Sequence, residues 1–237
     1  MTVLRQRVVP AVRARLGRPP PLVNLHPAKL ELIDYAAEFL PFASFADLGG
    51  VWHVDGGYSL YAVAKGATGV LVDEGAHALS GRPRAEPRLR IVDGNFTNAG
   101  VAAAVGAVDA VFHFDTLLHQ AAPDWRETLA LYAAQTNAFL ICQPQLRGDR
   151  TIRLTDLDST NYQRLLKPAG AEVDPKLGSR LERERDSRGL WQWGITDDDL
   201  VAAMGELGFE LRFFKSWGRW QQLESFDRQA FVFARRS

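Results

Sequence analysis

Phe45-Ala-Asp-Leu-Gly-Gly-Val-Trp-His-Val-Asp-Gly-Gly-Tyr-Ser59 is the stretch on which the fold turns. An apolar lead-in from Pro41 to Ala46 meets an acid, Asp47, and then the pair Gly49-Gly50. A second pair, Gly56-Gly57, follows, and Tyr58 to Ala64 reads as a helix. The order is strand, tight glycine loop, helix start. Glycine lets a backbone turn sharply and approach a ligand without a Cβ in the way. The first turn of the helix behind the loop has amides to offer to something polar. The competing reading of the same residues is a turn whose glycines serve geometry alone. The segments on either side decide between the two.

Downstream, strands and helices alternate. Val70-Leu-Val-Asp73 is a short apolar strand ending on acids. Gly75 to Leu79 is expected to be helical, with Gly81-Arg-Pro83 as its breaker. Leu89-Arg-Ile-Val92 is the next strand, running into Asp93-Gly-Asn-Phe-Thr97, and Ala99 to Val105 is a small helix. A strand over Ala107 to Phe114 empties into Asp115-Thr-Leu-Leu-His119. Pro123 and Asp124 open a helix with Trp125, Leu129 and Tyr132 at spacings of four and three, and Ala138 to Cys142 is another buried strand. Such alternation predicts a doubly wound α/β fold with a mostly parallel sheet covered on both faces. Ligands of these sheets sit beyond the carboxyl ends of the strands. Asp47, Asp73, Asn95 and Asp115 all fall at such ends. Their agreement in position weighs more than one glycine loop.

Upstream, residues 1–17 read as a basic amphipathic helix closed by Arg18-Pro-Pro-Pro21, and Pro27 opens a helix with Leu30, Ile33, Ala37 and Leu40 at helical spacing. The charges near the start flank no apolar run of the kind a secretory signal needs. Residues 146–194 interrupt the alternation and are expected to form a lid or cap insert. Within them Glu172 to Arg188 carries five acids and five bases, the pattern of a solvated helix face. Regular structure resumes with Thr196 and Asp199, which resemble a capping box with Asp in the usual Glu position. The helix stripe is Leu200, Ala203, Met204 and Leu207, and Gly208 stops it. Phe209 to Phe214 and Gln229 to Ala234 are strands whose 14-residue connection is too short for a crossover helix, so they are expected to pair antiparallel. The division is one domain over 1–237, with an N-terminal extension at 1–26 and the insert at 146–194.

Composition narrows the function. With 28 basic and 28 acidic residues the formal net charge is zero, which offers nucleic acid no electrostatic footprint. Apolar residues make up 46% of the chain, and no run approaches the roughly 18 apolar residues of a membrane span. The single cysteine, Cys142, lies in an apolar strand and reads as a buried thiol of a cytoplasmic protein. The five histidines are scattered, with no spacing suited to a metal.

On these motifs the chain resembles the class I S-adenosylmethionine-dependent methyltransferases, over about residues 27–145 and 195–235. Asp47 to Gly49 is similar to the start of that family's first motif. Val51 and His53 occupy its second and third glycine positions, and Gly56-Gly57 re-forms the loop one turn later. Gly94-Asn-Phe96 resembles the turn beside the adenine, with Asn95 in place of an Asp. The closing helix and hairpin match the family's last elements. Trp191-Gln-Trp-Gly-Ile-Thr-Asp197 resembles a stretch in a bacterial subgroup of unknown substrate.

The resemblance implies a seven-stranded Rossmann-like sheet, S-adenosyl-L-methionine as cofactor, and transfer of its methyl to a small molecule. Asp47 would hold the methionine ammonium, with Gly49 and Gly50 lining its approach. Asp73 would accept the ribose hydroxyls. Asn95 would accept from the adenine amine through its amide oxygen, with Phe96 along the ring. Phe114 and Asp115 would pass the sulfonium end. A hydroxyl acceptor needs a base, and His119, just past the fourth strand, is the candidate. Tyr162, Trp191 and Trp193 would wall the acceptor, and a homodimer contact is the rival use of the insert. Two other readings stay open: a protein of this fold that binds the cofactor or a ligand without methyl transfer, and a nicotinamide oxidoreductase. The second would need a tighter glycine loop and would not predict the closing hairpin.

Overall fold

The computed structural model describes residues 25–79, 81–168, 170–172, 181 and 189–236. The basic helix expected over 1–17 and most of the charged run at 172–188 lie outside the described residues.

Nine strands and seven helices are described: α1 Pro27–Phe39, β1 Ser44–Leu48, α2 Gly57–Ala64, β2 Thr68–Asp73, α3 Arg82–Ala85, β3 Leu89–Asp93, α4 Ala99–Val105, β4 Val108–Phe114, α5 Trp125–Ala133, β5 Thr136–Leu146, β6 Ile152–Arg153, α6 Ser159–Leu166, β7 Trp193–Gly194, α7 Asp197–Glu206, β8 Phe209–Arg219 and β9 Phe226–Arg235. Seven strands form one sheet in the order β3-β2-β1-β4-β5-β9-β8. The first five are parallel, and β9 runs antiparallel to both β5 and β8. The order reverses between β1 and β4, so their carboxyl ends flank the crevice where ligands of such sheets bind.

Two apolar layers cover the sheet. Alternation along each strand sends Ala46, Leu48, Val111, Phe139 and Ile141 to the face of α4, α5 and α7. It sends Phe45, Ala110, Phe112, Leu140 and Cys142 to the face of α1 and α2. On the second face the Phe45 and Phe112 rings stack with centroids 5.0 Å apart. A Cβ on Gly69 would fall 2.1 Å from the Phe45 ring, so β2 carries no side chain there.

The described part of the insert folds as a small lobe. β6 pairs antiparallel with β7, and α6 starts from Asp158, whose carboxylate accepts the amides of Thr160 and Asn161. Its own apolar cluster of Leu154, Tyr162, Leu181 and Leu190 closes against Leu223 and Phe226 of the final hairpin.

Three local expectations change. Gly81-Arg-Pro83 does not merely break a helix: Pro83 sits in the first turn of α3, where its missing N–H costs nothing. The closing strands are longer than their apolar cores, so the hairpin connection shrinks to residues 220–225. Asp199 does not close a reciprocal capping box. Thr196 caps α7, but the Asp199 carboxylate accepts the amide of Thr151 at 2.6 Å and so ties α7 to the insert.

Candidate functional site

At the end of β1, Asp47 is 1% exposed. Ser59 Oγ donates to its Oδ2 at 2.6 Å, and a Cβ on Gly50 would lie 2.4 Å from the same oxygen. The carboxylate is therefore sealed between the first turn of α2 and the loop above it. Burial pushes its pKa up to about 6, while Ser59 and Lys29 pull the other way. The group of α2 that meets Asp47 is the Ser59 hydroxyl in its first turn.

The loop is closed largely on its own hydrogen bonds. Val54 and Asp55 donate to Val51 O, Gly56 to Gly50 O, and Gly49 to Val72 O across to β2. His53 and Asp55 hold positive φ values of 62° and 45°, so the chain turns left-handed without glycine there. Gly49 is different: at φ +81° a Cβ would also come 2.8 Å from Thr116 Cγ2. Conformation and crowding both demand glycine at that point.

Asp73, at the end of β2, accepts Val51 N at 3.0 Å on Oδ2 and Gly75 N at 2.8 Å on Oδ1. A carboxylate has about four acceptor positions, so each oxygen keeps one. Asn95 departs from its expected role. Its Oδ1 already accepts Thr97 N at 2.9 Å and Thr97 Oγ1 at 2.8 Å, which leaves the amide nitrogen as the group to offer. That nitrogen donates, so it suits a ring nitrogen rather than an amine. Phe96 is buried beside Gly49 and edge-on to His113.

At the end of β4 a group absent from the sequence reading takes over. Lys29, on the buried stripe of α1, places its ammonium 2.5 Å from Asp115 Oδ2. The same ammonium lies 5.2 Å from the Tyr58 ring centre and 5.6 Å from that of Phe114. Burial opposes the Lys29 charge most strongly, but the Asp115 charge and hydrogen bond together with Tyr58 and Cys142 outweigh it, so its pKa is raised. Asp115 sits at φ +60°, and its Oδ1 is buried with no partner among the described residues. The signal for Lys29 was in the sequence: it stands four and seven residues before the buried Ile33 and Ala36.

The insert residues separate into two places. Tyr162 and Trp191 brace each other through the Tyr162 hydroxyl and the Trp191 backbone, inside the lobe's own cluster. Trp193 instead reaches the main sheet, its Nε1 donating to Gln120 O at 2.6 Å. His119 lies on a 3-10 turn after β4, with Nδ1 2.9 Å from Leu190 O. The lobe thus meets the β4 end at His119, Gln120 and Trp193.

Two further groups of polar residues were not anticipated. Gln143 and Gln145 of β5 are buried, with neither amide partnered among the described residues, and Gln229 of β9 lies opposite Gln143. On the other face, a cavity of about 310 Å³ is lined by His26, Trp217, Arg219, Trp220, Gln221 and Arg228. Among the described residues no cluster of three metal-ligating side chains occurs, and no helix is long and apolar enough to cross a membrane.

No family model matches the chain, and no curated protein matches it. Solved structures do share its fold. A Listeria monocytogenes protein assigned as an S-adenosylmethionine-dependent methyltransferase superposes with a TM-score of 0.59 at 12% identity, over 89% of this chain and 99% of that one. The 1,6-didemethyltoxoflavin N1-methyltransferase of Burkholderia thailandensis, solved with 1,6-didemethyltoxoflavin and S-adenosylhomocysteine, gives 0.54 at 15%, over 92% and 80%. An O-methyltransferase family protein from Burkholderia thailandensis gives 0.51 at 18%, over 87% of this chain and 56% of its own length. At these identities the likeness is one of fold, and the fold is that of the class I methyltransferases.

Proposed function

We propose that the chain is an S-adenosylmethionine-dependent methyltransferase acting on a small molecule, with a hydroxyl oxygen as acceptor. The observation that carries this reading is the pairing state of two acids at the carboxyl ends of β2 and β4, on either side of β1. Asp73 keeps one acceptor position on each oxygen, which suits the two hydroxyls of a ribose. Asp115 has a buried oxygen lacking a donor, which suits an ammonium. Asp47 would then act through the loop, holding Ser59 and α2 beneath Gly50, instead of touching the ammonium. Asn95 would donate to the adenine ring, with Phe96 beside it and Phe114 near the sulfonium end.

When bound, the cofactor supplies a methyl activated on a sulfonium; the protein's part is alignment of acceptor and donor, worth about 7–11 kcal/mol in favourable cases. His119 takes the acceptor proton in this reading, with the Leu190 carbonyl fixing its ring. The insert at 146–194 serves as the lid, Trp193 joining it to the β4 end. Zero net charge supports a small acceptor over nucleic acid.

S-adenosylhomocysteine is expected to raise the melting temperature by mass action. Asp73→Ala should weaken its binding by about 1.5–3 kcal/mol, as for hydrogen bonds to a charged group. Equal affinity in the variant would place the ribose elsewhere. Transfer of labelled methyl to a screened acceptor should fall about 10²–10⁴-fold in His119→Gln. Tight cofactor binding with no transfer to any screened acceptor would favour the second reading, a protein of this fold that binds without catalysis.

A further inference from the structure

The cavity of about 310 Å³ lies at the acceptor-side edge of the sheet, where β9 begins beside the end of β5. Arg228 lines it and is 7% exposed. Its guanidinium is stacked 3.8 Å from the Trp220 ring centre. Among the described residues no carboxylate pairs with it. A buried charge without a counter-charge is strongly unfavourable. The Lys29 charge beside it is already met by Asp115.

The other walls offer donors as well. Trp217 Nε1 is buried with no acceptor among the described residues. His26 Nδ1 accepts the Ala28 amide, so the neutral ring carries its proton on Nε2. Burial first, then Arg228 and Lys29, lower the His26 pKa to about 4, so the ring is neutral at pH 7. Arg219 adds a second guanidinium at the exposed rim, and no lining residue is acidic. Trp217 and Trp220 supply flat apolar walls. A volume near 310 Å³ is at the lower end for small-molecule sites.

We propose that this cavity binds the carboxylate of a small aromatic carboxylic acid, held by Arg228 with its ring against Trp217, and that such an acid is the acceptor. The substrate part of this inference rests on the methyltransferase reading; the anion site itself does not. The cavity adjoins the reaction edge through a short chain of contacts. In the β5–β9 register Arg228 lies opposite Pro144, two residues beyond Cys142, and Cys142 O accepts the Asp115 amide at 2.9 Å. An acid anchored at Arg228 therefore lies two residues along β5 from the position paired with the end of β4.

The test compares 4-hydroxybenzoate with its methyl ester, of nearly the same shape but without the charge. Binding is read by tryptophan fluorescence and calorimetry at fixed ionic strength. The acid should bind at least about tenfold more tightly than the ester, and Arg228→Gln should abolish the difference while S-adenosylhomocysteine binding stays intact. Trp217→Phe, which removes one donor but keeps a wall, should weaken the acid several-fold and the ester little. Equal binding of acid and ester to the unmodified protein overturns the proposal without any variant. So does an acid preference that survives Arg228→Gln. If the acid binds as expected but S-adenosylhomocysteine does not bind at all, the anion site stands and the methyltransferase reading falls.

Discussion

The β1–β2 corner and the β4–β5–β9 corner lie on the same edge of one sheet but treat their polar groups in opposite ways. At the first, nearly every polar group is met by its neighbours: Asp47 by Ser59, Asp73 by two amides, Asn95 by Thr97. At the second, buried groups stay unmet among the described residues: Asp115 Oδ1, Trp217 Nε1, and both amides of Gln143 and Gln145. A region that satisfies itself is shaped before a ligand arrives. A region of unpaired buried groups carries a cost that a ligand's own polar atoms relieve.

The largest break in this contrast should come from Lys29, the one strong partner at the second corner. Lys29→Met leaves Asp115 partly buried without its counter-charge and should cost about 3–5 kcal/mol in denaturant unfolding. Adding Asp115→Asn should recover most of the loss. An unchanged midpoint in Lys29→Met would mean that the pair is not a buried ion pair.

Asp47 tests the first corner through pH. Its folded pKa of about 6 lies above the ordinary 3.8, so the native state holds the extra proton between those values. Stability from this group is full below about pH 4 and is lost as the pH rises through about 6. His26 and His113, lowered to about 4 and about 3 mainly by burial, work in the opposite sense over that window. Both histidines remain in Asp47→Asn, so the difference between the two proteins isolates the acid. From pH 4 to pH 7 the unmodified protein should lose up to about 3 kcal/mol relative to the variant. Parallel urea profiles would show that Asp47 is not held as a buried acid.

The smallest effect separates geometry from crowding. Gly49 and Gly66 both hold positive φ, at 81° and 106°, but only Gly49 would press a Cβ on a neighbour. Gly66→Ala should cost about 1 kcal/mol from backbone strain alone, and Gly49→Ala about 1–3 kcal/mol with a loss of S-adenosylhomocysteine affinity. Equal melting temperatures and equal affinity in the two variants would mean that Thr116 yields freely and that the loop is not tightly set.

The sequence by itself determined the layered fold, because its information is periodic and local. Apolar runs of strand length, the Pro27 start and the Gly208 stop each act within a few residues. The acids at strand ends were legible for the same reason, since a strand's last residue is marked by the turn that follows it. What those acids touch was decided only by the tertiary structure. Asp115 meets Lys29 across 86 residues, and Thr151 meets Asp199 across 48. The Arg228 cavity draws on the segment before α1 and on both strands of the hairpin. No local pattern marks Arg228 as buried or His26 as its neighbour. Whether a polar group has a partner depends on which distant segments are packed against it, and packing is a property of the folded chain.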